Sequence, residues 1–210
     1  MHLTNEIVLF DLDGTVIDSL EGIMNAIDVC FAHAGLPPIT TEEFLPFVGP
    51  PIIDTLQTHF HLTKAQAQDA MTAYHSYYRV KGWKQCRLYD GMQALFAALK
   101  AKGKKLGLAT NKPHEYAQEI LEDKKVAHYF DYIGGTTDTI HEKSQVVADC
   151  LAHLGSDAIM VGDRKFDVEG AKKAGVSTVG ITYGYGTREE LLAAGAIWVV
   201  DTPEEVVALF

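Results

Sequence analysis

The architecture predicted for this chain starts from Ile7–Ser19, IVLFDLDGTVIDS. The first four residues form a continuous apolar run, which is typical of a strand buried on both faces inside a parallel sheet. Asp11 follows at the carboxyl end of that strand, where open α/β sheets build their binding crevices. Asp13 and Gly14 come next, so a nucleophile or metal ligand lies close to a second carboxylate that can act as acid or base. The alternative interpretation is an ordinary turn with two solvated aspartates.

Composition limits the classes of protein that fit this chain. With 210 residues, 47% of them hydrophobic, it suits one globular domain, or one domain with an insertion. The formal charge of -10 argues against nucleic acid or an anionic membrane as a main partner. We find neither a long apolar stretch nor a basic, apolar leader, so we expect no membrane span, no signal peptide and a cytoplasmic location. The three cysteines are odd in number and far apart, which favours packing roles.

The segment after the first strand has helical spacing throughout. Apolar residues recur every three or four positions from Ile23 to Ala34, again from Ile52 to Phe60, and again between Thr63 and Val80. No convincing strand lies between Ser19 and Tyr89. We therefore predict about 70 residues of helices inserted after the first strand as a small cap.

From Asp90 the pattern alternates between strands and helices up to the end of the chain. Strands are predicted at Leu106–Ala109, around Tyr132 and Ile133, and at Ala158–Val161, Ser177–Ile181 and Ile197–Val200. We predict an α/β fold, a doubly wound (Rossmann-like) parallel sheet with an inserted α-helical cap domain. Residues 1–17 and 90–210 would form the core and residues 18–89 the cap.

Polar residues follow several of the predicted strands. Thr110 and Asn111 come after one strand, Asp163 and Asp167 after another, and Lys143 begins the helix after a third. Because the carboxyl ends of parallel strands meet at one edge of a sheet, we expect all of them near Asp11. Carboxylates gathered at one point repel each other, and a hard divalent cation, most simply Mg²⁺, relieves that repulsion. A lysine and a hydroxyl nearby would suit a phosphate.

Four motifs in this order resemble those of the haloacid dehalogenase superfamily of hydrolases. They are Asp11-Leu12-Asp13-Gly14-Thr15, then Thr110 after its strand, then Lys143, and last Gly162-Asp163-Arg164-Lys165-Phe166-Asp167. The resemblance covers essentially the whole chain. A helical insertion just after the first motif is similar to the subclass that includes phosphoglycolate phosphatases.

The resemblance implies a role for each matching residue. Asp11 would attack phosphorus to form an aspartyl phosphate, and Asp13 would protonate the leaving alcohol and then activate water. A second set would hold the phosphoryl oxygens, namely Thr110, the Asn111 amide and Lys143. The Mg²⁺ ligands would be Asp11, the Asp13 carbonyl, Asp163 and Asp167, with Asp167 binding either directly or through water.

Each of these residues also has a simpler interpretation when taken alone. Thr110 and Asn111 can cap a helix that opens near Pro113, and Lys143 can be a solvated lysine. Asp163 and Asp167 can be charges favoured at a helix N-terminus. Arg164 and Lys165 suit the surface better than phosphate steering.

Other features are less specific. Gly184 and Gly186 are interpreted as a turn that lets the chain approach the crevice, because their spacing is not that of a nucleotide-binding loop. His59 and His61 are expected at the surface rather than on zinc. The cluster Tyr74, Tyr77 and Tyr78 is expected to pack within the cap. The turn Phe47-Val48-Gly49-Pro50-Pro51 is placed near the mouth of the site.

The resemblance implies a Mg²⁺-dependent phosphatase acting on a small phosphorylated metabolite, similar to phosphoglycolate phosphatase. The main alternative is a 5'-nucleotidase on nucleoside monophosphates. A pyrophosphatase, a sugar phosphomutase and a phosphonatase are less favoured alternatives. The mutases of this superfamily have basic residues in a cap loop where this chain has prolines, and a phosphonatase would need a cap lysine, but no cap lysine here lies in an apolar run. An inactive relative or a phospho-aspartate signalling protein is the non-enzyme alternative, and Asp13 argues against it. Substrate choice would lie in the cap, which would open and close over the core. The oligomeric state is left open.

Overall fold

The computed structural model describes residues 2–49 and 51–210, and the chain divides into two compact units. The first unit comprises Met1–Asp18 and Leu88–Phe210, and the second comprises Ser19–Arg87. Each unit is described by itself below.

The first unit is built on a six-stranded sheet in which every neighbouring pair is parallel. Its strands are β1 (Ile7–Phe10), β4 (Lys105–Pro113), β5 (Tyr132–Thr136), β6 (Ala158–Gly162), β7 (Ser177–Ile181) and β8 (Trp198–Val200). The order across the sheet is β5-β4-β1-β6-β7-β8. All residues of β1 and β6 are buried, which explains their continuous apolar runs.

Helices cover both faces of this sheet. The helices of the first unit are α5 (Met92–Ala101), α6 (His114–Asp123), α7 (Lys143–Leu154), α8 (Lys165–Lys173), α9 (Arg188–Ala194) and α10 (Pro203–Ala208). Leu9 belongs to a buried cluster with Val146 and Val147 of α7. The ring of Phe10, the next residue, lies 5.4 Å from that of Phe96 in α5. Because successive strand residues point to opposite faces, α5 and α7 lie on opposite sides of the sheet. The predicted doubly wound α/β fold is confirmed.

The second unit is almost entirely helical. It contains α1 (Leu20–Ala34), α2 (Thr41–Phe44), α3 (Ile52–Thr58) and α4 (Lys64–Val80), and α1 packs against α4. Gly35 ends α1 in the left-handed conformation, with φ of 68°. Thr63 begins α4 through a capping box with Gln66. The helices expected from the apolar spacing are therefore present.

One prediction for this part of the chain is wrong, because a strand does lie between Ser19 and Tyr89. Arg87–Leu88 (β3) and Ile17–Asp18 (β2) form a separate two-stranded sheet. Each strand has two residues, which is too short to give an alternating pattern in the sequence. Single-turn 3₁₀ helices occur at Leu45–Phe47, Gly82–Lys84 and Ala127–Tyr129.

Several smaller expectations from the sequence can be compared with the structure. All three cysteines are free thiols, and Cys30 and Cys150 are buried, as packing residues would be. His59 and His61 are both exposed. Tyr74 and Tyr78 are buried within the second unit, with stacked rings 5.5 Å apart. Of the stretch Phe47–Pro51, which was predicted as a turn near the mouth of the site, Pro50 lies outside the described residues. Among the residues that are described, none of the helices combines the length and apolar character needed to span a membrane.

Candidate active site

The carboxyl ends of the three central strands bring the predicted residues to one edge of the sheet. Phe10 is in register with Leu108 of β4 and with Val161 of β6. The Asp11 amide continues this pairing and donates to the Val161 carbonyl at 3.0 Å. Asp163 follows β6 directly, and Thr110 lies two residues beyond Leu108 in β4. The expectation that these residues meet at one edge is confirmed.

Three buried carboxylates form the centre of the site. Oxygen atoms of Asp11, Asp163 and Asp167 all lie within 4.8 Å of one another. The Lys143 ammonium contacts two of them, at 2.5 Å from Asp11 Oδ1 and 2.7 Å from Asp167 Oδ1. Lys143 is the first residue of α7 and is itself buried, so the interpretation as a solvated lysine is wrong. Three ionised carboxylates beside one ammonium would leave an excess of negative charge.

Burial dominates the electrostatics of this centre. It raises the pKa of Asp11 to about 7, with Lys143 opposing the rise and Asp167 adding to it. Burial, together with repulsion from Asp167 and Asp11, raises the pKa of Asp163 well above its usual range. Burial alone would lower the pKa of Lys143, but the two carboxylates that it contacts outweigh this and raise it. Lys143 therefore stays charged, while burial disfavours the ionised forms of Asp11 and Asp163.

This donor set fits a hard divalent cation. Carboxylate oxygens are the ligands that Mg²⁺ prefers, and a cation among them would favour the ionised form of Asp11 and Asp163. Burial raises the pKa of both groups because their negative charges are removed from solvent, and a bound metal ion would supply the stabilisation that solvent no longer gives. The chemistry of the residues present thus suits the predicted Mg²⁺.

Asp163 is held at both of its oxygens by other parts of the first unit. Thr15 Oγ1 donates to Oδ1 at 3.0 Å, and the Tyr185 amide donates to Oδ2 at 2.8 Å. Glycines make this close approach possible. Gly14 has φ of 86°, and a Cβ on Gly14 or on Gly184 would overlap the Asp163 carboxyl group. The interpretation of Gly184 and Gly186 as a turn approaching the crevice is confirmed.

Asp167 has two functions at once. Its Oδ2 accepts a hydrogen bond from the Arg164 amide at 3.0 Å, so it does stabilise the N-terminus of α8. Its Oδ1 contacts Lys143 within the carboxylate cluster. Arg164 is buried and paired with Glu190 at 2.9 Å, so its assignment to the surface is wrong, whereas Lys165 is exposed.

The end of β4 is longer and less regular than predicted. Ala109 pairs with Gly134 and Pro113 with Thr136, so β4 carries two more residues than β5 over this span. This bulge contains Thr110, Asn111 and Lys112. Bulges are common next to active sites, where they change the direction of a side chain. The residue that precedes α6 is Pro113, so the interpretation of Thr110 and Asn111 as helix caps is wrong.

Two hydrogen bonds stabilise the bulge. The Lys112 amide donates to Thr110 Oγ1 at 3.1 Å, and Thr136 Oγ1 donates to the Asn111 carbonyl at 3.3 Å. Thr110 is buried. Its hydroxyl accepts from the Lys112 amide and still has a proton to donate.

Lys112 is the site residue that the sequence did not reveal. Its ammonium lies 2.9 Å from each oxygen of the Asp13 carboxyl group, and the two side chains are only 7% and 17% exposed. The cluster of three carboxylates does not include the Asp13 side chain. A lone lysine two residues after Thr110 gives no recognisable signal, because its position depends on the bulge.

Comparison with known proteins supports the resemblance seen in the four motifs. A family model described as haloacid dehalogenase-like hydrolase matches residues 8–181. A crystal structure described as a predicted phosphatase from Clostridium acetobutylicum has a TM-score of 0.92 at 36% sequence identity, and the match covers 97% of each chain.

Three of the curated relatives differ in name. A 5'-nucleotidase of Pseudomonas aeruginosa is 33% identical over 89% of this chain and 86% of its own length. Tyrosine-protein kinase PtkA of Mycobacterium tuberculosis is 36% identical over 86% of this chain, which spans only 63% of that longer protein. A phosphoglycolate phosphatase of Vibrio parahaemolyticus is 28% identical over 96% of this chain and 94% of its own. The predicted resemblance, including that to phosphatases, is confirmed.

Proposed function

This chain belongs to the haloacid dehalogenase-like hydrolase family, and we propose that it is a phosphatase that hydrolyses a phosphate monoester of a small metabolite. One observation carries the proposal. Asp11, buried at the end of β1, has the Lys143 ammonium 2.5 Å from one oxygen and a second carboxylate, Asp13, two residues away. A nucleophile, a cation to offset its charge and an acid–base group are thus assembled on one strand end.

The reaction would proceed in two steps. An Asp11 oxygen attacks phosphorus and forms an acyl phosphate bond, while the ester bond from phosphorus to oxygen breaks and Asp13 gives its proton to the leaving alcohol. In the second step water attacks the same phosphorus and loses a proton to Asp13. The bond from phosphorus to Asp11 breaks, which releases phosphate and restores the Asp11 carboxylate. Each step is easier than direct attack by water.

Residues of the bulge and of α7 would hold the phosphoryl group. The Thr110 hydroxyl and the Asn111 amide would donate to its oxygens, and Lys143 would supply positive charge beside the nucleophile. These groups come from β4 and from the start of α7, which are held by the buried core of the first unit. The phosphoryl oxygens would therefore meet donors whose positions are already set.

Mg²⁺ would be held by Asp11, the Asp13 carbonyl, Asp163 and Asp167. When bound, the cation would offset the charge of the phosphoryl oxygens and of the nucleophile. Thr15 and the Tyr185 amide orient Asp163 for this role through their hydrogen bonds to its two oxygens. Lys143 orients Asp167 in the same way, at 2.7 Å.

Phosphoglycolate and nucleoside monophosphates are the substrates that we propose first, because relatives are named for both activities. A pyrophosphatase, phosphomutase or phosphonatase activity remains a less favoured proposal. A long-lived phospho-aspartate, as in a signalling protein, is disfavoured by Asp13, which would hydrolyse it. The predicted cap of residues 18–89, its role in substrate choice and the cytoplasmic location stay predictions.

The test is phosphate release from a panel of phosphoglycolate, nucleoside monophosphates, sugar phosphates and pyrophosphate, measured with Mg²⁺ and with a chelator. Wild type would be compared with Asp11→Asn and with Asp157→Asn, which changes the same charge at the opposite end of the sheet, where Asp157 accepts from Asn5. We expect release that requires Mg²⁺, is lost in Asp11→Asn and is retained in Asp157→Asn. Equal release by the two variants would refute the proposal.

A further inference from the structure

Lys112 and Asp13 form a nearly buried ion pair beside the centre of the site. The ammonium lies 2.9 Å from both carboxyl oxygens, so it approaches the Asp13 carboxyl group between them. Contact with both oxygens restricts rotation of the carboxyl group about its last torsion. Burying a lysine to this extent costs free energy unless its charge is paired. This cost favours the conformation in which Lys112 contacts Asp13 over conformations in which the two side chains are apart.

The backbone on each side of the pair is fixed independently of the pair itself. Lys112 lies in the β4 bulge, which is stabilised by the hydrogen bonds to Thr110 and Asn111. Asp13 forms an isolated bridge with Ile17 and precedes Gly14, whose positive φ sets the turn. Only side-chain torsions remain to place the Asp13 carboxyl group, and Lys112 contacts the group that those torsions move.

The two lysines of the site act on different carboxylates. Lys143 contacts Asp11 and Asp167, whereas Lys112 contacts Asp13. The nucleophile and the acid–base group therefore each have a cation of their own. Lys112 contacts both oxygens of the Asp13 carboxyl group, which accepts a proton from water in the second step.

We propose that Lys112 is a positioning residue that holds the Asp13 carboxylate for the attack of water on the aspartyl phosphate. The proposal rests on the proposed function above. In this step the bond from water oxygen to phosphorus forms, the bond from phosphorus to Asp11 breaks, and the water proton moves to Asp13. Lys112 takes no part in these bonds and acts only through the orientation of Asp13.

The experiment separates the two chemical steps with 4-nitrophenyl phosphate, whose leaving group needs little protonation. Lys112→Met should lower kcat about 10- to 100-fold, because misplacing a general base by about 1 Å costs this much. The value of kcat/KM, which reports the first step, should change less than about threefold. Rapid mixing should show a burst of nitrophenolate and accumulation of phosphorylated Asp11.

Further variants complete the test. Lys112→Arg keeps a cation that reaches both oxygens and should retain most of kcat, and Lys112→Gln replaces Lys112→Met if the latter does not fold. Lys165→Met, which removes the same charge from an exposed neighbour of the site, should behave as wild type. Adding Lys112→Met to Asp13→Asn should slow kcat no further, because Lys112 would act through Asp13.

Two results would overturn the proposal. One is an equal fall of kcat and kcat/KM without accumulation of phosphorylated Asp11, which would make Lys112 a structural or substrate-binding residue. The other is an additive effect of Lys112→Met on top of Asp13→Asn. If wild type releases no phosphate, or Asp11→Asn still does, the proposed function itself fails. The two failures are thus distinguishable.

Discussion

Replacing Lys143 by methionine removes the ammonium from two buried carboxylates, those of Asp11 and Asp167. In the wild type these contacts measure 2.5 and 2.7 Å, and all three side chains are almost completely buried. Removing one partner of a buried ion pair typically costs about 3–5 kcal/mol, because the remaining charge is left without a partner or solvent. We expect a loss of this size in the free energy of unfolding of the metal-free protein.

Burial also gives this loss a dependence on pH. The pKa of Asp11 is already raised by burial to about 7, with Lys143 opposing the rise, so removing Lys143 will raise it further. At pH 5.5 Asp11 of the variant is protonated and its loss of a cation matters little. At pH 8 the variant must either bury the Asp11 charge without Lys143 or keep Asp11 protonated, and both cost free energy. The destabilisation should therefore be larger at pH 8 than at pH 5.5.

The assay is urea denaturation with a chelator present, at pH 5.5 and pH 8. Lys100→Met is the matched control, since Lys100 pairs with Asp131 at a similar distance of 2.8 Å but both side chains are more than a third exposed. An exposed pair contributes about 0–1 kcal/mol, with little change over this pH range. Equal destabilisation by the two substitutions, or a Lys143→Met effect that does not grow from pH 5.5 to pH 8, would refute the reasoning.

Three further predictions follow from the same structure. Burial raises the pKa of Asp11, so the metal-free protein should lose stability as the pH rises from about 4 to about 7. Mg²⁺ should therefore raise the melting temperature more at pH 8 than at pH 5. An equal rise in melting temperature at the two pH values would contradict this prediction. Gly184→Ala places a Cβ in overlap with the Asp163 carboxyl group and should weaken Mg²⁺ binding measured by calorimetry, whereas Gly103→Ala, where nothing lies within 4 Å of the added Cβ, should leave Mg²⁺ affinity unchanged. Burial raises the pKa of the Cys30 thiol to about 11 and that of the Cys150 thiol to about 12. Both thiols should therefore resist alkylation at pH 8 in the native protein and react in urea. Rapid labelling of the native protein, detected by mass spectrometry, would contradict this prediction.

The parts of the site that the sequence predicted depend on local patterns. Asp11 and Asp163 each follow an apolar run, so the strand and its carboxyl end can be read from a few consecutive residues. The parallel arrangement then brings them together without further information. The same reasoning placed Thr110 at that edge, although β4 continues to Pro113 and does not end at Ala109 as predicted.

The parts that were missed depend on contacts between distant residues. Lys112 reaches Asp13 because β4 has two more residues than β5 over one span, and a register shift leaves no trace in apolar periodicity. Arg164 is buried because Glu190, far along the chain, provides a partner. Lys143 was predicted near Asp11, and only its contacts with Asp11 and Asp167 in the fold explain its burial. Charged residues look solvated in a sequence until their partners are known.

The central claim is that Asp11 carries the phosphoryl group during turnover. It is tested most directly by acid quenching Asp13→Asn during reaction with 4-nitrophenyl phosphate and Mg²⁺, since loss of the water-activating group should make the intermediate accumulate. Borohydride then reduces an aspartyl phosphate to homoserine, which peptide mass spectrometry can locate. The account predicts homoserine at position 11 and nowhere else. Stoichiometric release of nitrophenolate with an unmodified Asp11, or with the phosphoryl group on another residue, would contradict it.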